Sequence, residues 1–272
     1  GFVQALADHG YTDGDTIVLD YQNAQGDSSA LLTISQRFVG DDCDLVLAIG
    51  TGAAQSIASQ TSEIPVLITA VTDPVDAGLV QSSEAPGTNV TGTNDMNPIR
   101  EQMELIREFL PDVQTVGLLY TSSEDNSALQ IQEVKAVLEE MNVGYVEQTV
   151  TGSNDVQQAV QSILGKCDAL YIPTDNTLAA SAALVGSAAQ TAKIPVFWGE
   201  GNCVAEGGLA SLGLDYYNLG RQTGEMAVEV LEGADPADMP IQSQSDYSYT
   251  ISKSMAEEIG IEIPEHLLEF AE

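Results

Sequence analysis

Two short polar segments, each directly after a predicted apolar strand, hold the residue types best suited to binding a small polar ligand. The first is TAVTDP at residues 69–74, which follows the apolar run 64–68. The second is PTDN at residues 173–176, which follows the apolar run 169–172. In open α/β sheets, ligands bind beyond the carboxyl ends of the strands. The two segments therefore predict a ligand clamped between two similar lobes.

The first predicted lobe offers hydrogen-bond donors for an anion. Gly50, Thr51, Gly52 and Ala53 follow a strand and open a helix. Backbone N–H groups and the positive helix end favour a carboxylate there, and the Thr51 hydroxyl adds a donor. We therefore expect Thr51, Gly52 and Ala53 to bind a ligand carboxylate, with an ordinary capped helix start as the alternative. No Gly-Lys-Ser/Thr follows, so the segment is not a phosphate-binding P-loop.

Three more residues are candidates at strand ends or crossovers. Thr72 is expected to bind the ligand through its hydroxyl group, and Asp73 either contacts the ligand or forms a turn with Pro74. Asp215 stands at a predicted crossover beside Tyr216 and Tyr217, either of which could stack on a ligand or form part of a hinge between the lobes. All three positions are retained as candidate ligand contacts.

The second predicted lobe offers acceptors as well as donors. A carboxylate here can hold an ammonium group, and an asparagine amide can pair with either end of an amino acid. Helix capping and Asx-turns are the alternative roles, and a loop glutamate can simply be solvated. The candidate contacts are Ser122, Asn126, Ser127, Thr174, Asp175, Asn176 and Glu200.

The composition excludes some classes of partner. The 272 residues carry a formal charge of −33, from 41 acidic and only 8 basic residues. Binding to nucleic acid or to an anionic membrane surface needs Lys and Arg, so neither is expected. Carboxylates occur along the whole chain, which favours a whole-surface adaptation, for instance to high salt.

No constellation for catalysis or metal binding is present in the sequence. The three cysteines form no CxxC pair, and the two histidines lie near the ends of the chain. Cys43 and Cys167 each precede an apolar run and are expected to be small buried side chains. There is no GxSxG elbow and no dinucleotide fingerprint. We therefore expect neither an enzyme nor a cofactor.

Strands and helices alternate twice along the chain, which predicts an α/β fold of two Rossmann-like, doubly wound lobes. The predicted strands are 16–22, 44–49, 65–68, 89–93, 115–120, 144–150, 169–172, 195–198, 208–213 and 247–251. The predicted helices are 2–9, 28–39, 53–60, 99–109, 125–141, 155–164, 178–192, 216–231 and 253–259. Crossovers near 94–98, 212–216 and 240–246 divide the chain into a first lobe, 1–95 plus 214–240, and a second lobe, 96–213 plus 241–272.

The sequence opens in the middle of a predicted helix, with Gly1 and Phe2 and no capping residue before them. Because an α/β lobe normally begins with a strand, we expect a leader, a first strand and the front of the first helix to precede residue 1.

Several long motifs carry a family resemblance. They are YQNAQGD (21–27), IGTGAAQ (49–55), TAVTDPVDAGLV (69–80), NVTG (89–92), IPTDNT (172–177) and GLDYYNLGRQTGEMA (213–227). Together they resemble the substrate-binding proteins of ABC importers, in the group that includes tryptophan- and tyrosine-type binders. The resemblance covers nearly the whole chain.

The resemblance implies the type I periplasmic-binding-protein fold, in which two lobes joined by three hinge segments close on a small ligand. It implies that Thr51 and Thr72 hold the carboxylate and amine of an amino acid, with an aromatic amino acid as one expected ligand, and that the candidate residues of the second lobe supply the other polar contacts. Glu200 is also expected to contact the ligand, although the loop after Trp198 departs from the family pattern.

The predicted function is that of a monomeric extracytoplasmic receptor, periplasmic or lipid-anchored, that delivers its ligand to an ABC permease. The alternative is the ligand-sensing part of a transcription regulator of the same fold, which would need a helix-turn-helix domain ahead of residue 1. A third alternative is an enzyme acting on a bound nucleotide or sugar, but the sequence has no group of residues that would supply its base, nucleophile or metal ligands.

Overall fold

The computed structural model describes all 272 residues and divides them into two compact units. The first unit contains Gly1–Met96 and Asp215–Asp246, and the second contains Asn97–Leu214 and Tyr247–Glu272. The lobe boundaries proposed from the sequence differ from this division mainly in residues 241–246, which lie in the first unit. Each unit is an α/β structure with its own sheet.

The elements follow one another along the chain in strand–helix alternation. The helices are α1 Phe2–Asp8, α2 Ser28–Gly40, α3 Thr51–Ala58, α4 Ile99–Phe109, α5 Asp125–Glu140, α6 Val156–Ile163, α7 Asn176–Ala179, α8 Ala182–Ala192, α9 Tyr216–Leu231 and α10 Lys253–Ile259. The strands are β1 Val46–Ile49, β2 Val66–Val71, β3 Val90–Asn94, β4 Thr115–Thr121, β5 Gly144–Val150, β6 Ala169–Ile172, β7 Val196–Trp198, β8 Ala210–Leu214, β9 Gln242–Ser243 and β10 Tyr247–Ile251. Short 3₁₀ turns occupy Ser153–Asp155, Gly201–Glu206, Pro236–Asp238 and Glu265–Phe270.

The first unit contains a four-stranded parallel sheet in the order β1-β2-β3-β9. Its central strand β2 is apolar and buried on both faces, which is the pattern of a parallel strand covered by helices. Gly92 in β3 has a φ of +141°, and a Cβ there would lie 2.1 Å from the carbonyl oxygen of Ile68. Only glycine allows the two backbones to approach so closely at this point.

The second unit contains a six-stranded sheet in the order β10-β8-β7-β6-β4-β5. All neighbouring strands are parallel except β10, which is antiparallel to β8. Apolar clusters cover both faces, and the ring of Phe109 meets that of Phe197 edge-on at 5.7 Å. The predicted α/β architecture with two doubly wound units is confirmed.

The predicted strand at residues 16–22 is wrong. This segment pairs with no strand of the sheet and makes only an isolated bridge between Asp13 and Ile17. Val18 and Tyr21 are 88% and 69% exposed. An alternating apolar pattern yields a strand only where a neighbour receives its hydrogen bonds, and no neighbour is present here.

Two helix predictions also need correction. The predicted helix 178–192 is divided into α7 and α8, because the chain turns at Ala180 and Ser181. In α2, the periodic apolar residues predict an inward face that is only partly buried: Ser35 is enclosed, Leu31, Ile34 and Phe38 are half-buried, and Leu32 is 42% exposed. The missing strand at 16–22 leaves α2 with less sheet to cover.

Candidate functional site

The start of α3 in the first unit is built to present donors. Gly50 has a φ of +87°, a conformation that favours glycine, and its N–H donates to the carbonyl of Thr69 at 3.0 Å. That bond places the start of α3 beside the end of β2. No side chain caps the first amides of the helix, while Thr51 is buried and Gly52 is exposed. The predicted residues Thr51, Gly52 and Ala53 therefore lie at an uncapped, positively polarised helix end.

The end of β2 is irregular at the point where the polar segment begins. The strand extends to Val71, further than predicted, and its register with β3 shifts between Ile68 and Val71. Ala70 lies in the left-handed region with a φ of +54°, which is uncommon for a residue with a side chain. Such bulges redirect a strand end and its side chains. Thr72 is the first residue after β2, and it is 2% exposed.

Two candidate carboxylates of the first unit cap their own main chain. Asp73 Oδ1 accepts from the N–H groups of Val75 and Asp76, at 2.8 and 3.0 Å. Asp215 Oδ1 accepts from the N–H groups that open α9, the nearer of them that of Tyr217 at 2.8 Å. Both side chains therefore shape local backbone, the alternative role that the sequence had offered for Asp73.

Asp95 and Tyr216 connect two crossover segments within the first unit. The Tyr216 hydroxyl donates to Asp95 Oδ2 at 2.8 Å, and Asp95 is almost fully buried. Tyr216 is half-buried and engaged by this bond. The bond fixes where the chain leaves the first unit and where it re-enters.

In the second unit, Asp175 binds the end of the neighbouring strand β4. Its Oδ2 accepts from the main-chain N–H of Thr121 at 2.6 Å, and its Oδ1 accepts from the Thr121 hydroxyl at 2.8 Å. Oδ1 also caps α7 by accepting from the N–H of Leu178 at 2.9 Å. Burial, and then the charge of Glu124, raise the pKa of the Asp175 carboxyl above its ordinary value.

Glu124 makes the reciprocal connection from the loop after β4. Its carboxylate accepts four hydrogen bonds from Asn176 and Thr177, all between 2.8 and 2.9 Å. The carboxylates of Asp175 and Glu124 thus connect the end of β4 and its following loop to the segment after β6. Glu124 is not among the candidates predicted from the sequence; its place immediately before the predicted helix at 125–141, in a loop already rich in polar residues, was the available signal.

Thr174 is held by the start of α5 and by the crossover residue Asn97. Its carbonyl accepts from Asn126 Nδ2 at 2.9 Å and from the Ser127 hydroxyl at 3.3 Å. Its own hydroxyl oxygen accepts from Asn97 Nδ2 at 2.7 Å, and Asn97 Nδ2 also donates to Gln130 Oε1. The structure therefore brings together Asn126, Ser127 and Thr174, three of the candidates predicted from the sequence.

Ser122 follows β4 and Glu200 follows β7, the two strands that flank β6 in the sheet. Ser122 is exposed and its hydroxyl donates to the carbonyl of Val150 at 3.3 Å. Glu200 is half-buried and accepts from Cys203 Sγ at 2.8 Å. Burial is the main cause that raises the pKa of the Cys203 thiol, and Glu200 adds to it. Trp198, at the end of β7, is 1% exposed and packs in the core.

A fully buried polar network supports the loop that carries Glu200. Gln102 Nε2 donates to the carbonyls of Leu212 and Gly199, at 2.7 and 3.3 Å, and Gln102 Oε1 accepts from the Tyr171 hydroxyl at 2.6 Å. Burial strongly raises the pKa of Tyr171. Residues of α4, β6 and β8 therefore fix the main chain at the end of β7.

Each unit therefore presents polar groups at the carboxyl ends of parallel strands. No group of three or more His, Cys, Asp or Glu side chains is arranged to hold a metal ion. None of the helices combines the length and the apolar character that crossing a membrane requires.

The comparisons with known proteins agree with this architecture. The family model of the ABC transporter substrate binding proteins matches residues 1–272. A curated relative, the tyrosine-binding protein of Clostridioides difficile, is 42% identical over 253 residues, which are 93% of this chain and 73% of that protein.

Two solved structures are similar over nearly the whole chain. The ABC domain from Streptococcus pneumoniae in complex with L-Trp is 42% identical with a TM-score of 0.95, covering 98% of this chain and 90% of that one. A conserved domain protein from Vibrio cholerae is 39% identical with a TM-score of 0.97, and the match covers 99% of this chain and 91% of that one. The chain therefore belongs to the family of ABC transporter substrate-binding proteins, with the type I periplasmic-binding-protein fold, and is a solute-binding protein and not an enzyme.

Proposed function

We propose that this protein is an extracytoplasmic receptor that binds an aromatic amino acid of the tyrosine or tryptophan type and delivers it to the permease of an ABC importer. The relatives that are 42% identical are a tyrosine-binding protein and a domain solved with L-Trp, which supports this class of ligand. We expect the receptor to act as a monomer, either free or lipid-anchored at the outer face of the membrane.

The observation that carries the proposal is the complementary chemistry of the two polar surfaces. The first unit presents the uncapped start of α3, where Thr51, Gly52 and Ala53 offer donors to a carboxylate. The second unit presents the braced loop Thr174–Asn176 beside two carboxylates, which favours a cationic group. An amino acid carries one group of each kind.

Within this proposal the candidate residues have two kinds of role. Thr51, Thr72, Thr174 and Asn176 are proposed to contact the ligand. Gly52 and Ala53 are proposed to contact it through their main-chain N–H groups. Seven further candidates are proposed to shape the site through hydrogen bonds within their own unit: Asp73, Ser122, Asn126, Ser127, Asp175, Glu200 and Asp215.

A thermal-shift screen against the twenty amino acids, in concentrated salt, tests the proposal. A ligand that binds only the folded protein raises the melting temperature, and at a fixed ligand concentration a tighter ligand gives a larger rise. We expect tyrosine, tryptophan or both to give the largest shift. A flat response to the aromatic amino acids, or a larger shift with another class, would contradict the ligand assignment.

A further inference from the structure

We infer that Glu124 is a specificity-determining positioning residue, which turns the Asn176 amide so that this loop accepts a hydrogen bond from the ligand's ammonium group. The inference rests on the proposed function, because it assigns one end of the proposed amino-acid ligand to one side chain. It assigns Glu124 no direct contact with the ligand.

The Glu124 carboxylate is fully used by the loop after β6. Oε2 accepts from the main-chain N–H of Asn176 at 2.9 Å and from Asn176 Nδ2 at 2.8 Å. Oε1 accepts from the main-chain N–H of Thr177 at 2.9 Å and from the Thr177 hydroxyl at 2.8 Å. A carboxylate offers about four acceptor positions, and here each is matched to a donor.

This pairing decides which end of the Asn176 amide faces outward. An ionised carboxylate can only accept, so the NH₂ group of Asn176 must point at Glu124 and its Oδ1 must point away. The Asn176 side chain is exposed, and its Oδ1 accepts no hydrogen bond from the rest of the chain. The group that the loop offers to a ligand is therefore an acceptor.

The surrounding charge acts in the same direction. Glu124 and Asp175 lie on the two linked loops, and neither forms an ion pair with a basic side chain. The charge of Glu124 is one of the causes that raise the pKa of Asp175, so the two carboxylates are close enough to interact. A ligand ammonium group is favoured by this negative potential, whereas a ligand carboxylate is repelled.

The consequence is selectivity for the amino group itself. An analogue that has the ring and the carboxylate but lacks the amine leaves Asn176 Oδ1 without a donor. The difference in affinity between the amino acid and its des-amino analogue therefore measures the contribution of this orientation.

Glu124→Gln tests the inference with a side chain of nearly the same size. A glutamine accepts through one oxygen only, so its NH₂ group faces donors of Asn176 or Thr177, and the Asn176 amide is no longer held. The measured quantity is the ratio of dissociation constants for 3-(4-hydroxyphenyl)propionate and L-tyrosine, or for indole-3-propionate and L-tryptophan. We expect the wild-type ratio to exceed about tenfold and to fall by about fivefold or more in Glu124→Gln.

The controls separate positioning from a merely structural role. Thr177→Val removes one hydroxyl donor from Glu124 without touching Asn176, and we expect it to keep the wild-type ratio. If Glu124→Gln weakens both ligands by the same factor, or leaves both unchanged, the inference is overturned. If Glu124→Gln does not fold, Asn176→Ser, which lacks the amide oxygen, must reduce the ratio in its place, and an unchanged ratio overturns the inference.

Failure of the proposed function gives a different result. In that case the wild type binds neither the amino acids nor their analogues, and the inference falls with it. If the wild type binds the amino acids but binds their des-amino analogues equally well, so that the ratio of dissociation constants is near one, the function is supported and the role of Glu124 is overturned.

Discussion

The Asp175 carboxylate accepts both the main-chain N–H and the hydroxyl of Thr121, at 2.6 and 2.8 Å. These bonds join the ends of β4 and β6 below the polar surface of the second unit. Asp175 is only 3% exposed, so its partners compensate for a carboxylate removed from water. The sequence had suggested Asp175 as a ligand contact, and its observed bonds favour a supporting role.

Asp175→Asn is expected to lower the free energy of unfolding by about 1–3 kcal/mol at neutral pH, because the amide NH₂ cannot accept from Thr121 or Leu178. Urea denaturation of both proteins in the same salt measures this difference. Thr177→Val, which removes one partly exposed hydrogen bond, is a suitable control and should cost less.

The same pair of proteins gives a pH dependence of defined sign. The pKa of Asp175 is raised in the folded chain above its ordinary value of 3.8, so the folded state holds this proton more tightly than the unfolded state. The contribution of the group to stability is then fully present below 3.8 and is lost as the pH rises through the folded-state pKa. The stability advantage of the wild type over Asp175→Asn should grow on acidification from neutral pH toward 3.8, and a shrinking advantage would contradict this.

Gly92→Ala should destabilise the first unit strongly. The added Cβ would lie 2.1 Å from the Ile68 carbonyl oxygen, and the φ of +141° is unfavourable for any residue with a side chain. We expect a loss of about 2–5 kcal/mol in the free energy of unfolding. Gly52→Ala is the matched control, because its Cβ meets nothing within 4 Å and its helical position favours alanine. Equal stabilities of the two variants would refute the close approach of β2 and β3.

Thr72→Val is expected to weaken binding of the amino-acid ligand by about 1–3 kcal/mol, because an isosteric apolar group replaces a buried hydroxyl. The fold should persist, which circular dichroism can verify. Thr72→Ser keeps a hydroxyl and should retain most of the affinity. An unchanged dissociation constant in Thr72→Val would remove this residue from the site.

Salt should stabilise the protein. With 41 acidic and 8 basic residues, repulsion between carboxylates opposes folding. Raising the salt concentration shortens the screening length from about 10 Å at 0.1 M to about 3 Å at 1 M. We expect the melting temperature to rise by about 5 °C or more over this range, beyond the effect of a non-ionic osmolyte such as sucrose. A melting temperature independent of salt would show that repulsion between surface carboxylates does not contribute significantly to the stability of the protein.

The helices and strands were largely predictable because their signals are local. The apolar runs of β2 and β6 and the period of α4 and α9 are visible in the sequence, and the structure confirms these elements to within a few residues. The segment 16–22 failed because strand formation depends on a neighbour, which an alternating pattern does not reveal.

The candidate site was predictable as a set of strand ends but not as a network. Parallel strands end at one edge of a sheet, so the proximity of Thr174 to Asn126 follows from the topology. Which carboxylate braces the loop and which group remains available depends on side-chain geometry. Glu124 therefore escaped selection, while Asp175 was assigned to the ligand although Thr121 and Leu178 engage it.

Titration calorimetry of the wild-type chain with L-tyrosine and L-tryptophan, in concentrated salt, tests the central claim most directly. The proposed function predicts saturable heats with one site per chain for at least one of the two, and much weaker binding for a small aliphatic amino acid such as alanine. Absence of saturable binding for both aromatic amino acids, by a protein shown to be folded under the same conditions, would contradict it.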